Sequence, residues 1–531
     1  MSGQPEPTVQ FNGLSLTLIV GFYFAFHALS RLAFSGTLTT DDAEAIVTLD
    51  GLRLGYSVNQ PPLYEWALFG AQKVFGVSLA ANLAVKYAFL SAAVLFLYLA
   101  AKRVLGEPHW AAISVLSFSL FYQVGWNLIE GVTHTAGLIA AGALTLWSML
   151  RVLQERDVTS YIILGLAIGL GLLAKFSYAL VVFAFVLGAL ALPAQRRALR
   201  PALLFLSVAI GLAVASPYGV YLVTEGAFVE TLQSKMGRTD QGLKSLLGVP
   251  TAGHVVSVSV LYALPLVPIF FLIFRRSIWA DETMTIGHVD RDLYKYLAFT
   301  TAAGFLILLM GAVLGGFANV KERHLHPFFL CVPILLVGLI AEKPIRRRAM
   351  GLFMGVMIGC ACVIALIRMM TFVAPYQEVC GRCREMIPYD GLADYLRTRS
   401  PRAKLVAEDH LVAGNLKRFF PERTILIGRR AGQEEFADGC LVVLTVRDKG
   451  RGQQRVRIIE RVLPGLKLKS GAGQEPVKTA EEDLPENTDS VTAPWMNAIT
   501  GGTIRTSTWR VTSETDPARC RTIAAKPLWG G

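Results

Sequence analysis

The stretch GLSLTLIVGFYFAFHALSRLAFSGTLTTDDAEA, residues 13–45, joins a long apolar run to three closely spaced carboxylates. Residues 13–34 supply the roughly 20 apolar residues that a helix needs to cross the hydrocarbon core of a bilayer. Asp41, Asp42 and Glu44 follow where the chain leaves the lipid. Acidic groups there are costly unless they are hydrated, paired or used in function. The stretch therefore predicts a membrane span followed by a loop with functional carboxylates.

Apolar runs recur up to about residue 372, and their number decides the fold class. Of the 531 residues, 53% are hydrophobic and 17% charged, and the mean hydropathy is +0.47. Soluble globular proteins carry roughly a quarter charged residues, so this composition excludes that class. The runs predict eleven spans, near residues 13–34, 79–100, 109–124, 133–150, 160–174, 178–194, 201–222, 254–274, 296–315, 325–341 and 350–372. We expect a mainly α fold, with a polytopic membrane helical bundle over residues 1–372 and a water-soluble domain over residues 373–531.

The net charge of +12 is explained by the membrane rather than by a nucleic-acid partner. Lys and Arg cluster in alternate short loops between the predicted spans, which is the pattern of cytoplasmic loops. The sequence shows no RNA-binding motif and no zinc-finger spacing. The loop pattern predicts a cytoplasmic N-terminus and places residues 35–78, 223–253, 316–324 and the C-terminal domain on the outer face.

The first outer loop predicts helices that lie on the membrane surface. Thr39 and Asp42 have the spacing of a helix capping box, Ile46 begins an apolar face, and Gly55 can end the helix. Asp42 can therefore serve as a cap or take part in function, and the sequence leaves both open. Asp41 is not needed for the cap and is the stronger candidate for chemistry.

The C-terminal domain has the pattern of a small α/β fold. We predict strands at 403–409, 423–428, 440–446 and 502–513, a helix at 410–420 and a loop over 470–492. Nothing in this domain has catalytic spacing, so we interpret it as a lid or an acceptor-binding element.

Four cysteines of this domain are disulfide candidates: Cys380, Cys383, Cys440 and Cys520. Their even number on the outer face favours disulfides. Cys380 and Cys383 could also form half of a zinc site, but a second pair of ligands at metal spacing is missing. The sequence indicates neither a metal site nor a cofactor.

Several motifs, in order, resemble the membrane-embedded C-type (GT-C) glycosyltransferases. The relatives that the motifs suggest are protein O-mannosyltransferases and the aminoarabinose and galacturonic acid transferases of lipid A and lipopolysaccharide core. The matching motifs are DDAEA (41–45), GYSVNQPPLYEW (55–66), GLAIGLGLLAKFSYAL (165–180), ASPYGVYL (215–222) and KERHLHPFFLCVPIL (321–335). Two places depart from the family pattern. Gln60 stands where relatives have Lys or His, and Glu130 and His134, which would share a face if their turn is helical, stand where many have Asp.

The resemblance implies transfer of one sugar, with inversion, from a polyprenyl-phosphate donor to a lipid or glycolipid acceptor at the periplasmic face of a bacterial inner membrane. Asp41 would be the catalytic base, and Lys175, Lys321 and Arg323 would bind the donor phosphate. Asp42, Glu44, Gln60, Glu130 and His134 would contact the substrates. Simpler explanations stay open: snorkelling of Lys175, an ion pair of Lys321 and Arg323 with Glu322, and packing or hydrogen bonding of His324 and His326.

The sequence leaves alternatives open for the donor sugar and for the class of protein. A uronic acid would favour nearby cations such as Arg53 or Arg238, and an amino sugar would favour acids such as Glu44 or Glu65. The resemblance tilts the choice slightly toward a uronic acid such as galacturonate. A protein O-glycosyltransferase of the same fold, a secondary transporter and an assembly protein are the alternatives. A transporter should show paired halves and charges near the middle of the bilayer, and we see no internal repeat.

Overall fold

The computed structural model describes residues 11–58, 60–225, 249–280, 289–313, 322–373, 383–398, 403–427, 438, 440–445, 488–496 and 503–525. The chain divides into two compact units. The first, here the helical unit, comprises Met1–Ser30, Thr48–Gly76 and Ala80–Arg368. The second, here the mixed unit, comprises Arg31–Val47, Val77–Leu79 and Met369–Gly531. The acidic segment of the first loop thus clusters with the C-terminal residues.

The described helices account for most of the chain before residue 374. In chain order they are α1 (Gly13–Phe34), α2 (Thr40–Thr48), α3 (Leu63–Phe75), α4 (Leu79–Leu105), α5 (Pro108–Leu116), α6 (Leu128–Glu130), α7 (His134–Glu155), α8 (Val158–Ala174), α9 (Tyr178–Ala191), α10 (Pro193–Ala198), α11 (Pro201–Thr224), α12 (Val249–Ala263), α13 (Leu266–Ile278), α14 (Arg291–Val313), α15 (Val332–Gly338), α16 (Arg347–Val373), α17 (Tyr389–Thr398), α18 (His410–Phe419) and α19 (Pro517–Ala525). Single 3-10 turns cover Ser117–Leu120, Glu322–His324, His326–Phe329 and Arg384–Met386, and Gln123–Asn127 form a π-helical turn.

Within the described residues, six helices are long and apolar enough to cross a membrane: α1, α4, α7, α11, α14 and α16. Shorter apolar helices, among them α8 and α9, lie between them. Helices or runs of short helices occupy all eleven predicted segments. The span predicted at 254–274 is divided into α12 and α13 at Leu264 and Pro265. The chain is therefore a multi-pass membrane protein with the predicted, mainly α fold.

The glycine-rich sequence of α8 is explained by close packing against α11. A Cβ atom at Gly165 would lie 2.7 Å from the carbonyl oxygen of Ser207, and one at Gly169 would lie 2.5 Å from Cβ of Val214. Small residues let helix backbones approach closely where lipid removes the usual hydrophobic driving force. This packing fixes the end of α8, where Lys175 follows.

The mixed unit contains a five-stranded sheet with the order β2-β1-β3-β5-β4. Its strands are β1 (Lys404–Ala407), β2 (Ile425–Ile427), β3 (Cys440–Thr445), β4 (Thr488–Met496) and β5 (Thr503–Glu514). β1 pairs in parallel with β2 and β3, while β5 pairs antiparallel with β3 and β4. The predicted α/β pattern is confirmed, with α18 connecting β1 to β2. The loop prediction is wrong for residues 488–492, which belong to β4, while residues 470–487 lie outside the described residues.

The core of the mixed unit explains why this pattern folds. Leu405, Leu441 and Trp509 are completely buried, and they lie on three adjacent strands. A disulfide joins Cys440 of β3 to Cys520 of α19. Cys383 is also disulfide-bonded, and Cys380 lies outside the described residues. The preference for disulfides is confirmed for Cys383, Cys440 and Cys520.

Candidate active site

Two neighbouring carboxylates on α2 have different environments. The hydroxyl of Thr39 donates to Oδ2 of Asp42 at 2.7 Å, and the side chain of Asp42 is buried. The backbone N–H of Ala43 donates to the carbonyl oxygen of Thr39 at 2.9 Å, so the helix begins as predicted. Asp41 and Glu44 are partly exposed. Asp42 is therefore held by Thr39 at the start of α2, and Asp41 is the more accessible carboxylate of the pair.

The end of α2 differs from the prediction. The helix ends at Thr48 rather than at Gly55, and Leu52, although apolar, is exposed. Gly51 adopts a positive φ of 76°, a conformation that favours glycine, so the chain turns three residues after the helix ends.

Glu65 and His134 form a buried pair in the helical unit. Glu65 lies in the first turn of α3, and its Oε1 is 3.2 Å from Nε2 of His134, the first residue of α7. Glu65 is only 5% exposed. Its Oε2 atom and Nδ1 of His134 are buried and have no hydrogen-bond partner among the described residues. The pair can therefore receive hydroxyl groups of a bound sugar.

Lys175 lies beside this pair. It follows the last residue of α8, and its Nζ donates to the hydroxyl of Thr135 at 2.8 Å. Thr135 is the second residue of α7, whose N-terminus carries the positive end of the helix dipole. Because the ammonium group and the helix N-terminus meet here, the position favours an anionic group.

The structure describes only part of the remaining predicted site residues. Gln60 is half-buried and directly precedes Pro61. Lys321 and the side chains of Arg323 and Glu130 lie outside the described residues. Glu130 ends α6, and the turn at 131–133 is not helical, so the condition under which Glu130 and His134 would share a helix face is not met. Gly131, with a φ of −158°, follows α6 and lies between the two helices.

The charged residues predicted to contact the donor sugar lie in different parts of the chain. Arg53 forms an exposed ion pair with Asp50 at 2.9 Å, and Arg238 lies outside the described residues. Glu65 is buried against His134, whereas Glu44 lies on α2 in the mixed unit. Asp41 also belongs to the mixed unit, and Lys175 belongs to the helical unit.

An apolar cavity of about 300 Å³ lies within the helical unit. Helices α1, α4 and α16 line it with residues that include Val20, Phe24, Leu90, Leu97, Met354 and Met357. His326 also lines the cavity, and its Nδ1 is 2.7 Å from the hydroxyl of Tyr262, so the predicted hydrogen-bonding role of His326 is confirmed. Lys175 is connected to the cavity through α7, because Thr135, which accepts from Lys175, lies four residues before the cavity residue Ile139. The cavity has the character of a site for a hydrocarbon chain.

Three buried basic residues near the cavity were missed by the sequence analysis. His27, Lys86 and Arg368 are each less than 5% exposed. Nζ of Lys86 donates to the carbonyl oxygen of Ile129, a cavity residue, at 2.8 Å. The guanidinium of Arg368 lies over the ring of Trp126 at 5.5 Å. A basic residue inside a membrane span is energetically costly and therefore indicates function. The positions of these three residues within predicted spans could have identified them from the sequence.

Comparisons with known proteins agree with this architecture. A family model for dolichyl-phosphate-mannose-protein mannosyltransferases matches residues 59–221. The lipopolysaccharide core galacturonosyltransferase RgtA of Rhizobium johnstonii is 26% identical over 84% of this chain and 88% of its own length. RgtB of the same organism is 27% identical over 77% of this chain and 82% of its own length.

A solved structure shows a similar fold over nearly the whole chain. ArnT from Cupriavidus metallidurans, bound to undecaprenyl phosphate, matches with a TM-score of 0.58 and 12% identity, covering 93% of this chain and 97% of its own. The same protein in its apo state matches with a TM-score of 0.53 and 13% identity, over 85% of this chain and 95% of its own. The resemblance that the sequence motifs indicate is confirmed.

Proposed function

We propose that this chain, a membrane-embedded glycosyltransferase of the C type, moves a single sugar from a polyprenyl-phosphate donor to a hydroxyl or phosphate of lipid A or lipopolysaccharide core. The reaction would take place on the periplasmic face of a bacterial inner membrane and invert the anomeric carbon. The observation that carries the proposal is the buried Glu65–His134 pair beside Lys175 at the N-terminus of α7. This arrangement offers a sugar-binding pair and an anion-binding position inside one membrane protein.

The donor would be a lipid because the anion-binding position is linked to an apolar cavity. Lys175 and the N-terminus of α7 would stabilise the phosphate as its charge grows during bond cleavage. Lys321 and Arg323 would add further positive charge, as the resemblance implies. The hydrocarbon chain would enter the cavity between α1, α4 and α16. The undecaprenyl phosphate bound to the similarly folded ArnT supports this class of donor.

The chemical step needs one base and a good leaving group. The acceptor oxygen attacks the anomeric carbon, the bond from that carbon to the phosphate oxygen breaks, and the carboxylate of Asp41 takes the acceptor proton. The polyprenyl phosphate leaves as an anion, so no strong general acid is required. A positioned base contributes about 10²- to 10⁴-fold to the rate of such a step.

The sugar that we favour is a uronic acid such as galacturonate. The galacturonosyltransferases RgtA and RgtB, which resemble this chain over most of its length, support this choice. The free Oε2 atom of Glu65 would accept a hydrogen bond from a sugar hydroxyl, and His134 would donate or accept through Nδ1. Gln60, Glu130, Asp42 and Glu44 stay as proposed substrate contacts that rest on the resemblance.

The test compares cells with and without the gene product by mass spectrometry of lipid A, core oligosaccharide and envelope proteins. We expect one hexuronic acid to be missing from lipid A or core when the protein is absent. A missing sugar on envelope proteins alone would instead identify a protein glycosyltransferase. Solute flux in vesicles with no change in any glycan would identify a transporter and overturn the proposal.

A further inference from the structure

Helix α18 carries two residues that are poorly suited to a helix interior. Gly414 and Asn415 lie at the middle of this ten-residue helix. Glycine costs roughly 1 kcal/mol relative to alanine in a helix, and asparagine is also unfavourable. Both side-chain positions are buried. Their local cost indicates that tertiary contacts require these residues.

Gly414 allows the backbones of α18 and α2 to touch. A Cβ atom at this position would lie 2.2 Å from the carbonyl oxygen of Ala43 and 2.5 Å from its Cα. These are backbone atoms, which cannot rotate away as a side chain can. Any larger residue at 414 must therefore displace α2 or α18.

Asn415 holds the chain just before α2. Its Oδ1 accepts from the backbone N–H of Leu38 at 2.8 Å, and its Nδ2 donates to the carbonyl oxygen of Leu38 at 3.3 Å. A third bond, from Nδ2 to the carbonyl oxygen of Leu411 at 2.9 Å, fixes the amide within its own helix. Asn415 is fully buried, so these hydrogen bonds are shielded from water.

The segment from the end of α1 to α2 has further contacts with the C-terminal residues. The guanidinium of Arg31 donates to the carbonyl oxygen of Glu385 at 3.2 Å and lies over the ring of Phe372 at 5.2 Å. The hydroxyl of Thr37 donates to the carbonyl oxygen of Ile387 at 2.9 Å. Arg384 donates to the hydroxyl of Thr40 at 2.9 Å. Residues more than 300 positions apart in sequence thus hold the segment along its length.

From these contacts we infer that the C-terminal part of the mixed unit positions α2, and that Gly414 and Asn415 are positioning residues for Asp41. Asp41 lies between the two points of contact, Leu38 and Ala43, so a shift at either point moves it. A displacement of about 1 Å at a reacting group can cost about 10²-fold in rate. The inference rests on the proposed role of Asp41 as base, and it gives the C-terminal domain a role different from that of a lid or an acceptor-binding element.

The first test compares two glycine substitutions in the same unit. Gly414→Ala should lower kcat about 10²-fold while the chain still binds undecaprenyl phosphate with normal stoichiometry and affinity. Gly391→Ala is the matched control, because its Cβ would lie 2.8 Å from Cβ of Ala493, a packing contact without α2. The control should be strained in the same unit yet retain kcat within about twofold. A folded Gly414→Ala variant with the kcat of the parent chain overturns the inference.

Asn415 provides a second, independent variant if Gly414→Ala does not fold. Asn415→Ala loses both bonds to Leu38, whereas Asn415→Asp keeps the acceptor for its N–H. We expect Asn415→Asp to recover part of the kcat that Asn415→Ala loses. Equal losses in the two variants, with equal folded fractions, would contradict a positioning role.

Asp41→Asn separates failure of this inference from failure of the proposed function. If Asp41→Asn retains full transfer, the assignment of the base is wrong, whatever Gly414→Ala does. If Asp41→Asn is inactive or nearly so, Gly414→Ala should cause little further loss in that background, because both act through the same carboxylate. A full additional loss would mean that Gly414 acts through general folding, and the inference would be rejected.

Discussion

At the scale of single residues, the environment separates carboxylates that the sequence places side by side. Asp42 is buried and accepts from the hydroxyl of Thr39, whereas Asp41 is partly exposed. The capping pattern offered a structural role for Asp42 as one of two explanations, because a capping box uses one carboxylate at a fixed spacing. The Glu65–His134 pair was not predictable in this way, since its members are on different helices.

Substitutions of Asp41 and Asp42 test two different properties, the rate of transfer and the stability of the fold. Asp41→Asn should lower kcat by about 10²- to 10⁴-fold, because it removes the proposed base and keeps its size. Asp42→Ala should lower the free energy of unfolding by about 1 kcal/mol through loss of its hydrogen bond with Thr39. Transfer assays and denaturation of the purified chain measure these changes. Equal kcat values for the parent chain and Asp41→Asn would exclude Asp41 as the base.

Glu65→Gln should weaken donor binding more than it affects stability. The substitution replaces one oxygen of the buried carboxylate by an amide nitrogen. That oxygen is proposed to accept a hydrogen bond from a sugar hydroxyl, so we expect the donor KM to rise about tenfold. Glu107→Gln, at an exposed loop position, is the control and should leave KM unchanged. A normal donor KM for a folded Glu65→Gln variant would remove Glu65 from the sugar site.

At the scale of elements, the helices and strands with a regular sequence pattern were predicted well, and those without such a pattern were not. The apolar runs identified the long helices, and short strand-like segments identified β1, β2, β3 and β5, of which the segment at β5 shows alternation. β4 was missed because its first three residues, Thr488, Asp489 and Ser490, are polar and continue a polar, acidic stretch. The end of α2 was placed too late because its apolar spacing continues beyond the helix to Leu52, which is exposed.

The disulfide between β3 and α19 should stabilise the mixed unit. It closes a sequence separation of 80 residues, and loss of such a bond typically costs about 2–5 kcal/mol. Cys520→Ser should therefore lower the free energy of unfolding of this unit, as measured by denaturant titration. Cys362→Ser, at a free and exposed cysteine, should have no comparable effect. An unchanged titration for Cys520→Ser would show that the core alone supports the unit.

At the scale of the whole molecule, the chain combines a membrane bundle with a mixed unit that contains the acidic helix of the first loop. The first unit supplies the Glu65–His134 pair, Lys175 and the apolar cavity. The second supplies Asp41 and the residues that hold α2.

Filling the cavity should discriminate between donors by chain length. Ala93 is buried and lines the cavity, so Ala93→Phe would occupy space proposed for the polyprenyl chain. We expect kcat/KM for a full-length polyprenyl donor to fall about tenfold, which corresponds to about 1.4 kcal/mol of lost interaction with the chain. A donor with a short prenyl chain should be affected less, and equal losses for both would argue against the cavity as the chain site.

The sequence by itself determined the membrane character, the mainly α fold, the start of the acidic helix and the preference for disulfides that is confirmed at Cys383, Cys440 and Cys520. These features are local or periodic, because a span, a cap and an alternating strand each depend on residues that are close together in the sequence. Only the tertiary structure decided that Glu65 pairs with His134, that Lys175 contacts Thr135 and that Asn415 binds Leu38. The last contact joins residues 377 positions apart. No local pattern encodes such a pairing, because it depends on how separate elements pack.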